Sequence, residues 1–203
     1  MSYANDVEFA SKNIIELIMG EQKSLSHLQT LLASAEAKRK HFERDFRTSD
    51  MNDDFSDAHV QHAFVSMAKA AQDAGTLKNQ IPKVQQSIIN HEASVDSLCG
   101  ALLQIAKQGV SIVHGGLQNA PDGRLVGTAS LKAIVWQGRN QAIHYEENNP
   151  HPPTAALFQS LENQFGNDFS LTANAGKSLA KRIVDLLEWY NLDKFNADML
   201  TLC

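Results

Sequence analysis

Leu131-Lys132-Ala133-Ile134-Val135-Trp136-Gln137-Gly138-Arg139-Asn140-Gln141-Ala142-Ile143-His144-Tyr145 reads as one helix, running on to about Glu147. At about 100° per residue, Leu131, Ile134, Val135, Gly138, Ala142 and Tyr145 share one stripe and face the core. Trp136, Asn140, Ile143, His144 and Glu147 fall on the opposite face, with Arg139 between the two. That second face carries a large aromatic and an aliphatic among polar groups. A helix that is apolar on both sides is covered on both sides, by another element or a second subunit. Trp136 and Ile143 are the residues such a cover would meet, whichever of the two it is.

The flanking sequence reads as helix almost throughout. Ile14, Ile18, Leu25, Leu28, Leu32, Ala35, Phe42 and Phe46 recur at three- and four-residue spacing, which predicts a long first helix over about 5–47, with Glu21 and Arg39 interrupting its seam. A second helix is expected over 56–76, with Val60, Phe64, Met67 and Ala71 on one face and Ser56 and Asp57 at its start. Pro82 then opens, or kinks the start of, a third long helix to about Val113, ended by Gly115-Gly116. Residues 117–128 read as a loop, with Thr128 or Ser130 capping the motif helix. Pro150, Pro152 and Pro153 stop the motif helix. Two C-terminal helices are expected, over 154–165 up to Gly166 and over 173–190. No strand is expected, because period-two alternation is absent. The sum is an all-α bundle of about four main helices plus two C-terminal ones, one domain over 1–203: a long-helix bundle to 113, the motif helix over 128–147 and C-terminal helices over 154–191.

Composition narrows the function classes. The formal net charge of −5 argues against a protein that coats nucleic acid without specificity. It leaves room for an enzyme with a local basic pocket. The densest basic run, Lys38 to Arg47, is the candidate for it, but reads first as a solvated helix face with salt-bridged neighbours. No apolar run approaches the ~20 residues that span a bilayer. Met1 to Asp6 lacks the basic and apolar regions of a secretory signal, and two cysteines, Cys99 and Cys203, are too few for a disulfide framework. A cytoplasmic protein without membrane contact is therefore the expectation.

Three side chains on the motif helix carry chemistry. The Arg139 guanidinium can bind a phosphate and stabilise its developing charge. Its other reading is an ion pair with Glu146 or Glu147. The His144 imidazole can move a proton near neutral pH, or be an ordinary satisfied helix histidine. Asn140 can orient His144, one turn away, or simply be a polar surface residue. Lys177, Lys181 and Arg182 can touch RNA, although amphipathic polarity explains them as well. His59 with His62, and His144 with His151, are the only spacings that invite a metal, and neither matches a metal-ligand pattern. Ala175-Gly176-Lys177-Ser178 lacks the upstream glycine of a phosphate-binding loop. No cofactor and no metal is expected.

Arg-x4-His, with Asn140 directly after Arg139 and apolar residues before both motif residues, resembles the signature of the HEPN superfamily (higher eukaryotes and prokaryotes nucleotide-binding domains). The resemblance implies an all-helical homodimer. It also implies a metal-independent endoribonuclease of a toxin or defence system, with RNA as substrate and an antitoxin as a partner. Arg139 and His144 take the family's motif positions, and Asn140 its polar position after the arginine. The product would be a 2′,3′-cyclic phosphate. Two other readings stay open: a non-catalytic helical module that binds nucleotide, RNA or protein, and a structural bundle that mediates assembly.

Overall fold

The computed structural model describes residues 3–48, 57–147 and 149–203. Six α-helices carry these residues: α1 (Tyr3–Thr48), α2 (Asp57–His114), α3 (Leu131–His144), α4 (Pro152–Phe165), α5 (Ala180–Leu187) and α6 (Leu192–Leu202). The expected all-α class is what the chain adopts. One small departure is an antiparallel pair, β1 (Leu125–Val126) with β2 (Ala129–Ser130), in register Leu125 to Ser130 and Val126 to Ala129. Two residues per strand are too few to show alternation in a sequence.

The chain forms two compact units, Met1–Gln22 with Ala93–Cys203, and Lys23–Glu92. In the second unit the α1 seam is legible: Leu25, Leu28, Leu32, Ala35, Arg39 and Phe42 are half-buried at three- and four-residue spacing. On α2 of this unit Ala74 is buried, whereas Ala71, expected on the covered face, is exposed. The side chains of Phe46, Asp57, Val60, Phe64 and Met67, and residue Ser56, lie outside the described residues.

Two helices were expected where α2 is one. Pro82 stands inside it rather than at a boundary. A proline in a helix interior removes one backbone bond and crowds the carbonyl four residues back, at about 3 kcal/mol. Pro82 is exposed, so water can satisfy the Lys78 carbonyl that loses its N–H.

The first unit holds the main core. Ile15 and Ile18 of α1 and Val95, Cys99, Leu102, Leu103 and Ala106 of α2 pack with α3 to α6. Each short helix presents a stripe at i, i+3, i+4, i+7: Thr154, Leu157, Phe158 and Leu161 on α4; Ala180, Ile183, Val184 and Leu187 on α5; Phe195, Asp198, Met199 and Leu202 on α6. Asp198 is the polar member of such a stripe, and it is satisfied there. Arg124 Nε and Nη2 donate to its two oxygens at 2.7 and 2.9 Å, and the buried Trp189 donates from Nε1 at 2.9 Å.

The C-terminal third also differs from expectation. The helix expected over 173–190 is a turn-rich segment followed by the eight-residue α5, and α6 was not anticipated. Gly176 takes φ 70°, which favours glycine and breaks the helical path. Glu188 ends α5 in the left-handed region at φ 57°. Asn191 then starts α6 by accepting from the backbone N–H groups of Asp193 and Lys194 at 2.8 and 3.3 Å.

Candidate functional site

The motif helix α3 stops at His144, one turn short of the expected end. Ser130 is its N-cap residue but makes no side-chain cap bond, and Thr128 instead bonds Gln164. The helix packs against α4, α5 and α6. Gly138 makes the α5 contact possible: a Cβ there would lie 3.2 Å from Ile183 Cγ1. The buried set is Leu131, Ile134, Val135, Gln137, Gly138 and Gln141. Ala142 and Tyr145 are only half-buried, so two glutamines replace them on the inner stripe.

Both glutamines work as connectors. Gln141 donates from Nε2 to the Lys177 carbonyl at 2.8 Å and accepts from the Leu179 N–H at 2.7 Å, fastening the segment before α5 onto α3. Gln137 Oε1 accepts from Thr154 Oγ1 at 2.8 Å and from Asn140 Nδ2 at 3.3 Å. Their signal in the sequence was positional: Ile134, Gly138 and Gln141 follow one another at four- and three-residue spacing, so Gln141 belonged on the covered line.

A cavity of about 440 Å³ opens beside this helix, within the roughly 300–1,000 Å³ of small-molecule sites. Asn140, Gln141, His144 and Glu147 line one wall, His151, Thr154, Gln159 and Glu162 another, and Leu171, Thr172 and 174–176 a third. Its polar groups are amides, hydroxyls, two imidazoles and two carboxylates. No lysine or arginine lines it.

His144 Nδ1 lies 2.6 Å from Glu147 Oε1, with both side chains about half exposed. A carboxylate accepts, so Nδ1 carries the proton of this pair, and Nε2 is the basic nitrogen of the neutral ring. Arg139 lies elsewhere. Its Nε donates to Gln104 Oε1 on α2 at 2.5 Å, and Nη1 reaches Asn140 Oδ1 at 3.4 Å. The structure thus brings Asn140 and His144 to one cavity, with Arg139 linked to it through Asn140. Glu147 pairs with the imidazole rather than with Arg139.

The other candidate residues are placed as follows. Lys181 pairs with Asp185 at 2.7 Å, Arg182 with Asp168 at 3.3 Å, and neither they nor Lys177 line the cavity. Ile143 is 50 % exposed. Trp136 is half-buried, with the Lys107 ammonium 4.5 Å from its ring centroid. Among the described residues no group of three or more His, Cys, Asp or Glu is placed to hold a metal, and the His59 and His62 side chains lie outside that set. Lys38 and Lys40 of the basic run are exposed. No described helix is long and apolar enough to cross a membrane.

One cluster in the same unit went unread in the sequence. Asp185 accepts from the Tyr190 hydroxyl as well as from Lys181. Burial, then the bond to Asp185, pushes the Tyr190 hydroxyl well above the usual phenol range. Burial first, with Asp96 and Asp185 nearby, pushes the Cys99 thiol up to about 12, so it is an inert core group. The chain matches no family model, no curated protein and no solved structure.

Proposed function

We propose that the chain is a metal-independent endoribonuclease of HEPN type, acting as a homodimer in a toxin or defence system. The observation that carries this reading is the cavity wall built by α3, where Asn140 and His144 stand together and Glu147 holds the imidazole by Nδ1. His144 Nε2 takes the proton of a ribose 2′-hydroxyl. The 2′-oxygen attacks phosphorus, the bond to the 5′-oxygen breaks, and that oxygen takes up the proton that His144 Nε2 carried off, which returns the imidazole to its neutral form. The products are a 2′,3′-cyclic phosphate and a 5′-hydroxyl. Arg139, released from Gln104, neutralises the phosphate as charge builds on it. The exposed Ile143 and the flank of Trp136 form the contact between two motif helices.

The test is to offer the full chain single-stranded RNA and DNA of one sequence. RNA alone is cut, since DNA lacks the attacking hydroxyl. Arg139→Ala and His144→Ala each lower the rate by about 100-fold or more. Full cleavage retained by both variants defeats the assignment.

A second reading has its own support. A cavity without lysine or arginine, beside an arginine held by Gln104, suits a module that binds without cutting. RNA binding without product, unchanged in His144→Ala, selects it.

A further inference from the structure

Of the polar groups around the cavity, most are engaged by the protein itself. Glu147 holds His144, Thr154 and Asn140 hold Gln137, and Gln141 is spent at both ends on the 177–179 backbone. The side chains of His151, Thr172 and Glu162 are not, among the described residues, and Glu162 is the one acid of the three. It is half-buried on the α4 wall, and among the described residues its carboxylate has no hydrogen bond and no ion pair. A carboxylate is an acceptor only, so a half-buried one facing a cavity fits a ligand that brings N–H donors.

The charge of the lining points the same way. The lining holds no lysine or arginine, and of its two carboxylates Glu147 is paired with His144, so the uncompensated negative charge lies at Glu162 and disfavours a phosphate there. A phosphate is therefore disfavoured beside Glu162 and is better met at His144. The interior suits an uncharged ring of hydrogen-bonding edges, and Leu171, Pro150 and Ala155 offer it apolar contact.

We propose that this cavity is a base subsite that takes an amino-bearing nucleobase, with Glu162 accepting from its N–H groups. Guanine presents a ring N–H beside its amino group, and adenine and cytosine present the amino group. Uracil presents one N–H between two carbonyls, which would face the Glu162 oxygens and be repelled. The inference rests on His144 being the group that acts on the adjoining phosphate, because that relation makes the cavity a selector for the nucleotide at the cut.

The experiment is a titration of guanosine, adenosine, cytidine, uridine and inorganic phosphate into the full-length 15N-labelled protein, with RNA cleavage measured in parallel. Expected are shifts of the Asn140, His144 and Thr172 amides with the amino-bearing nucleosides, uridine binding about tenfold more weakly or not at all, and no shift of the Thr172 amide with phosphate. Glu162→Gln keeps the shape of the side chain but gives it an amide, so the preference against uridine falls away while the fold is retained. Absence of nucleoside binding, equal binding of all four, phosphate entering the cavity, or an unchanged preference in Glu162→Gln each overturns the proposal. If RNA is cut in a His144-dependent way and any of these occurs, the base subsite falls and the ribonuclease reading stands. If the nucleosides bind as expected and RNA is not cut, the base subsite stands and the ribonuclease reading falls.

Discussion

At the scale of single residues, what distinguishes the polar groups of this protein is which of them have partners. Asp198 is the structural case. It joins Trp189 to Arg124, with the carboxylate inside the α6 stripe. Asp198→Ala leaves a buried indole N–H without an acceptor and removes both carboxylate bonds of the half-exposed Arg124 guanidinium, which keeps the Leu187 carbonyl at 3.4 Å. Urea denaturation should show a loss of about 3 kcal/mol, and a loss below the error of extrapolation removes the clamp from the account. Cys99 supplies a pH test. Its thiol is raised from 9.0 to about 12 in the folded protein, so the folded state favours the neutral form. That contribution to stability is fully present below the unfolded value and is lost as pH rises through about 9 to about 12. Thiol reagents should therefore label Cys203 in the folded protein and reach Cys99 only on unfolding. Immediate labelling of both contradicts the burial argument. His144 and Asn140 could be named from their types and spacing in the sequence. Glu162 could not, because an acid without a partner looks like any other acid until the fold shows what surrounds it.

At the scale of elements, α2 poses the clearest question. Its continuity through Pro82 means the helix tolerates a missing backbone bond at an exposed turn. Pro82→Ala restores the N–H to the Lys78 carbonyl, and it should stabilise the chain by about 2 kcal/mol after the added freedom of the unfolded chain is counted. A destabilised Pro82→Ala would mean that the proline shapes a bend the protein needs. Gly109 has the opposite sign. A Cβ there would stand 2.6 Å from the Tyr3 ring and 2.9 Å from Met199 Cε, so Gly109→Ala should cost about 1–3 kcal/mol and displace the start of α1. The long helices were legible because three- and four-residue spacing repeats over many turns. The α5 and α6 pair was not. Lys181 and Arg182 beside Leu179, Ile183 and Leu186 fit a longer helix equally well, and only the bonds from Gln141 to the Lys177 carbonyl and the Leu179 N–H show why the chain turns first.

At the scale of the whole molecule, α3 is the hub of the first unit. Its inner stripe joins the core, Gln141 and Gln137 tie it to the segment before α5 and to α4, and Asn140 and His144 reach the cavity. Under the proposed function, an RNA chain would place a base in the cavity and a phosphate at His144, with the guanidinium turning to it after leaving Gln104. The most direct measurement is the chemistry of RNA ends left by the full-length protein in EDTA. The expected result is 2′,3′-cyclic phosphate and 5′-hydroxyl ends from the wild type, with the rate reduced by about 100-fold or more in His144→Ala. Cleavage that needs a divalent metal, that leaves 5′-phosphate ends, or that proceeds undiminished in His144→Ala contradicts it.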